Sequence, residues 1–219
     1  MPRLLFKKKG NAVWISHLDL MRLFQRAFKR AGLQLKHSQG FNPRPSVSIA
    51  LPLSVGVESE CELLEFDLDG QSLPCDEIKD RLNASLINGI EVSKVYGSGR
   101  KYRDLSLLSC EIIFSYDEDV PKNAVEQIGA LFARESLVLP KKTKNGIQEQ
   151  DIIPMIRHAV FSQKDTRTVQ AEVLICCQNP TLNPAQIHLA IRTFLPELTP
   201  SFWQCRRLEM YDSEVQVFR

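Results

Sequence analysis

The segment "HLDLMRLFQRAFKR", His17 to Arg30, places an imidazole, a carboxylate and four cations at helical spacing. Histidine is the side chain best suited to exchange a proton near neutral pH, so His17 is a candidate general acid or base. A first-turn histidine can equally be a packed or capping residue, with Asp19 serving the positive end of the helix dipole. Arg22, Arg26, Lys29 and Arg30 recur on one side and suit phosphate binding; the same stripe would also be ordinary as a solvated helix face. Downstream, in "HSQGFNPRPS", His37, Ser38, Gln39, Asn42 and Arg44 offer donors and acceptors, and Gly40 permits a positive φ or close backbone approach to a ligand. Asn42 and Arg44 each precede a proline and are held extended, so the loop is stiff. Such a loop is either a recognition surface ordered in advance or a structural connection whose prolines merely steer the chain. Phe41 is expected to anchor it by burying its ring, and the loop is expected to lie close to His17 and the basic helix.

Charge distribution singles out the same region. The 219 residues carry a net charge of only +2. Yet Met1 to Pro45 holds ten Lys/Arg against one acid, Asp19, so the rest of the chain is acidic. The six cysteines (61, 75, 110, 176, 177 and 205) form no CxxC pair and no Cys/His cluster at zinc spacing. No metal site and no cofactor are expected in this chain. Without a leader or an apolar run near 18 residues, a cytoplasmic protein with reduced thiols and no membrane span is expected.

The elements that must position these residues follow from periodicity. "RLLFKKKGNAVWIS" reads as extended and turned at Gly10-Asn11. Ser16 offers a hydroxyl cap to a helix whose Leu20, Phe24, Ala27, Phe28 and Ala31 form an apolar stripe, with Gly32 as its stop. "SVSIA" and the alternating "ELLEFDLDG" read as strands, "CDEIKDRLNASL" as a second helix through Leu86, and "GIEVSKVYGS" as a strand. The order strand, helix, two strands, helix, strand is the split βαβ, ferredoxin-like arrangement, an antiparallel sheet with helices on one face. "GSGRKYRDLS", 97 to 106, marks a boundary. Beyond it the order roughly repeats with an extra hairpin, around helices "KNAVEQIGALFARE" and "NPAQIHLAIRTFL". The expectation is an α+β protein of two tandem ferredoxin-like halves: 1–97, basic and carrying the loop, and 98–219.

"SHLDLMRLFQRAFKRAGL" followed by "HSQGFNPRPSVSIALPLSVGVESE" resembles the opening of the bacterial radical SAM-linked protein family, a domain of unknown function. The resemblance is dense from Phe6 to about Leu68. It implies a domain encoded beside, or fused to, a radical SAM protein with a cobalamin-binding-type region. The cysteine triad that would hold an iron–sulfur cluster is absent, so SAM and the cluster would belong to the partner. The expected role is a non-catalytic accessory module that presents a substrate, RNA, to that partner. Arg22, Arg26, Arg30, His37, Ser38, Gln39, Gly40, Asn42 and Arg44 are the expected contacts. Two alternatives stand beside it: an RNA-processing or RNA-modifying enzyme using His17, and a protein–protein adaptor without nucleic acid.

Overall fold

The computed structural model describes residues 1–70, 72–143 and 146–219. It is an α+β protein with antiparallel sheets and four α-helices among the described residues. The chain divides into two compact units, Met1–Asp104 with Phe218–Arg219, and Leu105–Val217.

In the first unit, β1 (Arg3–Lys8) leads through a short turn to α1 (His17–Arg30). β2 (Val47–Ile49), β3 (Val57–Phe66), α2 (Cys75–Asn83) and β4 (Ile90–Tyr96) follow. β1 lies between β4 and β3, and β2 adds to the far side of β3, every pair antiparallel.

α1 forms where its periodicity predicts. The Ser16 hydroxyl accepts the Asp19 amide at 3.2 Å, satisfying one of the free first-turn donors. At the other end Gly32 takes a φ of +68°, and the Leu33 and Gly32 amides return to the Phe28 and Lys29 carbonyls. Those two bonds close the helix in the Schellman manner, which needs a left-handed residue after the cap. Leu20, Phe24, Ala27 and Phe28 are fully buried. Two aromatic pairs hold the helix to the sheet: Phe24 on Phe6 of β1, centroids 4.7 Å apart and edge-on, and Phe28 on Phe66 of β3 at 5.0 Å.

Two differences from the periodicity have local causes. α2 stops at Asn83 rather than running on to Leu86. The Asn83 side chain accepts from the Val92 amide at 2.8 Å and donates to its carbonyl at 2.9 Å, tying that residue to β4. β3 is longer than the alternation suggests, and Cys61 to Leu64 are all buried, so both its faces are covered there. The alternating pattern alone implied a strand with one wet face.

In the second unit, β5 (Leu107–Ser115) and α3 (Ala124–Phe132) come first. A hairpin of β6 (Val138–Thr143) and β7 (Gly146–Asp151) forms its own two-stranded sheet. β8 (Ile156–Asp165), β9 (Thr168–Cys176), α4 (Ala185–Phe194) and β10 (Phe202–Tyr211) complete the unit. β5 lies between β10 and β9, with β8 outside β9, again all antiparallel. Ile112, Phe114, Ala171 and Ile175 from the strands are buried, as are Ile128, Leu131, Ile187 and Ile191 from the helices.

Candidate nucleic-acid interface

Placement of the interface begins with the way the chain leaves α1. After Gly32 the segment Leu33 to His37 runs along the end of β3: the Lys36 amide bonds the Asp67 carbonyl and the Asp69 amide bonds the Gln34 carbonyl, both at 2.9 Å. Leu33 and Leu35 are buried and seat this return. The chain then turns back on itself. His37 pairs with Pro45 as an antiparallel bridge, and the Ser46 amide bonds the Lys36 carbonyl at 2.7 Å. Above that base the Ser38 amide reaches the Arg44 carbonyl at 2.9 Å, and the Ser38 hydroxyl accepts the Arg44 amide at 3.0 Å. The loop is a pinned hairpin. Its residues from Lys36 to Arg44 are all exposed.

Main-chain groups and the Ser38 hydroxyl make the bonds that pin the hairpin. Among the described residues, the side chains of Gln39, Asn42 and Arg44 have no hydrogen-bond partner. They are therefore not the ties that hold the loop together. Replacing Asn42 or Arg44 with alanine is expected to leave the melting temperature within about 2 °C, since exposed substitutions of this kind fall within about 0.5 kcal/mol. A drop beyond about 5 °C by differential scanning calorimetry would mean that these side chains support the fold after all.

Phe41 departs from expectation. Its ring anchors nothing and stands fully in solvent at 106% exposure. The cross-links between Ser38 and Arg44 close the hairpin below it, so the tip projects beyond the surface on which a ring could pack.

Ion pairing sorts the ten N-terminal cations. Arg3 and Lys8 are completely buried. The Lys8 ammonium donates to the Val13 and Ile15 carbonyls at 3.0 and 2.9 Å, bracing the turn that precedes α1. Lys7 and Lys9 pair with Glu60, and Lys36 with Asp67 at 3.7 Å. Arg22 pairs with Asp19 at 3.0 Å. The Ser16 hydroxyl and then Arg22 hold the Asp19 carboxyl below the usual carboxylate range. Arg30 donates to the Ser85 carbonyl. Arg26, Lys29 and Arg44 are exposed and face no acid within ion-pair distance among the described residues.

These cations line three open hollows that share residues. One of about 610 Å³ joins α1 to the base of the hairpin through Arg26, Lys29, Leu33, His37 and Pro45, with Asp69 on its wall. The next, about 570 Å³, shares His37 and Pro45 and continues past Lys36, Ser38, Gln39 and Arg44, with Asp67 opposite. The third, about 480 Å³, shares Arg26 and extends along α1 through Arg22 and Arg30. Together the linings hold six Lys/Arg against three Asp. The helix face and the hairpin thus form one discontinuous cationic track, on which Arg22, Arg26, Arg30, His37, Ser38, Gln39 and Arg44 all stand.

His17 stands apart from it. It lines none of the three hollows, although the third reaches Ile15 and Asp19, and the first meets the hairpin at the last turns of α1. At 1.5 Å per residue, His17 and Lys29 are about 18 Å apart along the helix axis. The expected closeness of loop and His17 is not what the hollows describe. The His17 Nδ1 is buried without a partner among the described residues, and the Asp19 oxygens are taken by Ser16 and Arg22. Among the described residues no carboxylate is paired with this imidazole in the manner of a triad. Among the described residues no group of three or more His, Cys, Asp or Glu is arranged to hold a metal. No helix there is long and apolar enough to cross a membrane.

A family described as "Uncharacterized protein conserved in bacteria (DUF2344)" matches residues 2–184, which include the whole track. The chain belongs to this family. No curated protein matches it. Among solved structures, a chain of a Cbf5–Nop10–Gar1 complex is similar at 10% identity and a TM-score of 0.54, covering 95% of this chain and 48% of that one. A chain of an archaeal box H/ACA sRNP Nop10–Cbf5 complex is similar at 10% identity and a TM-score of 0.49, over 94% of this chain and 46% of that one. The chain spans about half the length of these structures. At such identity, the first likeness shows the fold alone.

Proposed function

We propose that this member of the DUF2344 family is an accessory module that binds RNA through the track on its first unit. The observation that carries the reading is the sharing of residues between hollows. Arg26 joins the helix face to the hairpin hollow, and His37 and Pro45 join that hollow to the loop. A run of separated cations suits successive phosphates, whereas a compact anion calls for one convergent pocket. The pinned hairpin presents its polar side chains from a backbone already ordered, so binding has to order only their rotamers.

Strand orders β4-β1-β3-β2 and β10-β5-β9-β8 support reading the two units as tandem split βαβ, ferredoxin-like halves, the β6–β7 hairpin being an insertion in the second. The radical SAM partner rests on the resemblance of the opening block alone. In this proposal any SAM or iron–sulfur chemistry belongs to that partner, and both work in the cytoplasm.

The test is salt dependence. Fluorescence anisotropy with a labelled single-stranded RNA is expected to show affinity falling steeply between about 50 and 200 mM salt, as neutralised phosphates release counterions. Changing Arg22, Arg26 and Arg30 together to Gln is expected to flatten the log–log slope by up to about 2, at about 0.7 per lost contact. Circular dichroism should show the fold retained. Absence of binding at the lowest salt would sink the proposal and leave a protein adaptor.

A further inference from the structure

We propose that Phe41 is a stacking platform for an unpaired base, so that the ligand class of this track is single-stranded rather than duplex RNA. The inference rests on the RNA-binding reading above and deepens it.

Phe41 lies at the summit of a hairpin whose base is fixed by the His37–Pro45 bridge and whose neck is fixed by two Ser38–Arg44 hydrogen bonds. The neck holds the tip out from the surface, where the ring meets nothing. Gly40, just before it, has a φ of +132°, a conformation that a side chain would strain. A β-carbon there would meet nothing within 4 Å, so the backbone turn and not crowding calls for glycine. Pro43 limits the chain on the other side. The hairpin therefore spends its stiffness on presenting an aromatic face to solvent, the opposite of the burial such a ring normally seeks.

Its neighbours give the face a chemistry. Gln39 and Asn42 stand on either side of Phe41 in the sequence, and their amides have both donors and acceptors and no partner among the described residues. His37 and Arg44, at the base and neck of the hairpin, both line the second hollow. A hairpin that carries an exposed ring, amide side chains and cations offers the groups a nucleotide would use: base on ring, base edge on amide, phosphate on cation. A protein partner's apolar surface would be matched by further apolar neighbours, and Ser38, Gln39, Asn42 and Arg44 are polar. In a duplex both faces of each base are already stacked, so the phenyl ring can contribute only to an unpaired base.

The experiment compares a labelled oligouridine with a duplex of the same phosphate count, for wild type, Phe41→Ala, Phe41→Trp and Phe202→Ala. Phe202 is an exposed aromatic of the second unit and controls for general stickiness. Wild type is expected to prefer the single strand by about tenfold or more. Phe41→Ala is expected to lose about 5- to 150-fold on the single strand, the range for one base–aromatic stack, and nothing on the duplex. Its salt slope should stay that of wild type, because no phosphate contact is lost. Phe41→Trp should bind at least as tightly as wild type, and Phe202→Ala should equal it. Equal losses on both RNAs, or none on either, would overturn the stacking role while leaving RNA binding intact. No binding to either RNA by wild type would overturn the underlying reading and this inference with it.

Discussion

Phe24→Ala is expected to destabilise the first unit by about 3–5 kcal/mol, the cost of emptying a well-packed phenyl site. Phe24 is fully buried on the centre of α1, edge-on to Phe6 of β1. Its loss removes the middle of three seats, leaving Leu20 towards the start of the helix and Phe28 against Phe66 towards its end. Urea unfolding followed by far-UV circular dichroism measures the effect, with Phe41→Ala as the comparison. The two phenyls have the same chemistry and opposite surroundings, so the exposed one should change stability by less than about 0.5 kcal/mol. RNA affinity should separate them in the other sense: Phe24→Ala weakens binding only as far as α1 loosens, and Phe41→Ala weakens it in a fully folded protein. A cost below about 1 kcal/mol for Phe24→Ala would mean that the aromatic contact does not seat the helix.

Arg3→Ala is the second large effect, about 3–5 kcal/mol, because it empties a completely buried side-chain site and leaves the partly exposed Glu65 carboxylate without its partner. The Arg3 side chain is completely buried, donates to Glu65 and to the Arg100 carbonyl, and lies 4.4 Å from the centre of the Tyr102 ring. Phe218 lies on its other flank at 5.3 Å. Burial and then the Glu65 charge push the Tyr102 phenol well above its ordinary pKa. The control is Arg3→Met with Glu65→Gln, which removes both charges and keeps most of the volume. It should recover much of the loss, since a buried pair often does no better than a well-packed apolar replacement. If the double change is as damaging as Arg3→Ala, packing around the guanidinium rather than the ion pair carries the stability.

Local signals in the sequence located most elements. α1 was readable because its stripe of Leu20, Phe24, Ala27 and Phe28, its Ser16 cap and its Gly32 stop are all set within a few residues of where they act. The end of α2 was not, because the bond that draws Asn83 away joins it to Val92 on the next strand. The restraint of the loop by Pro43 and Pro45 and the positive φ at Gly40 were readable. Its closure by Ser38 and Arg44 was not, nor therefore the direction of Phe41: an aromatic residue in a loop is by default a buried anchor, and only the neck of the hairpin shows that nothing lies within its reach.

The charge asymmetry shows the same division most sharply. By itself, the sequence determined that ten cations stand in the first 45 residues and that four of them share one face of a helix. Only the tertiary structure decided which of them a ligand can use. The register of β1 against β3 sets Arg3 opposite Glu65 and, after a bulge, Lys8 opposite Ser59, and in this setting Arg3 and Lys8 are buried while Lys7 and Lys9 reach Glu60. The return along the end of β3 gives Lys36 to Asp67. Arg26, Lys29 and Arg44 remain without an acid partner among the described residues. The physical reason is range: a helical stripe is fixed by a repeat of three or four residues, whereas an ion pair is decided by which distant carboxylate the sheet brings within 4 Å.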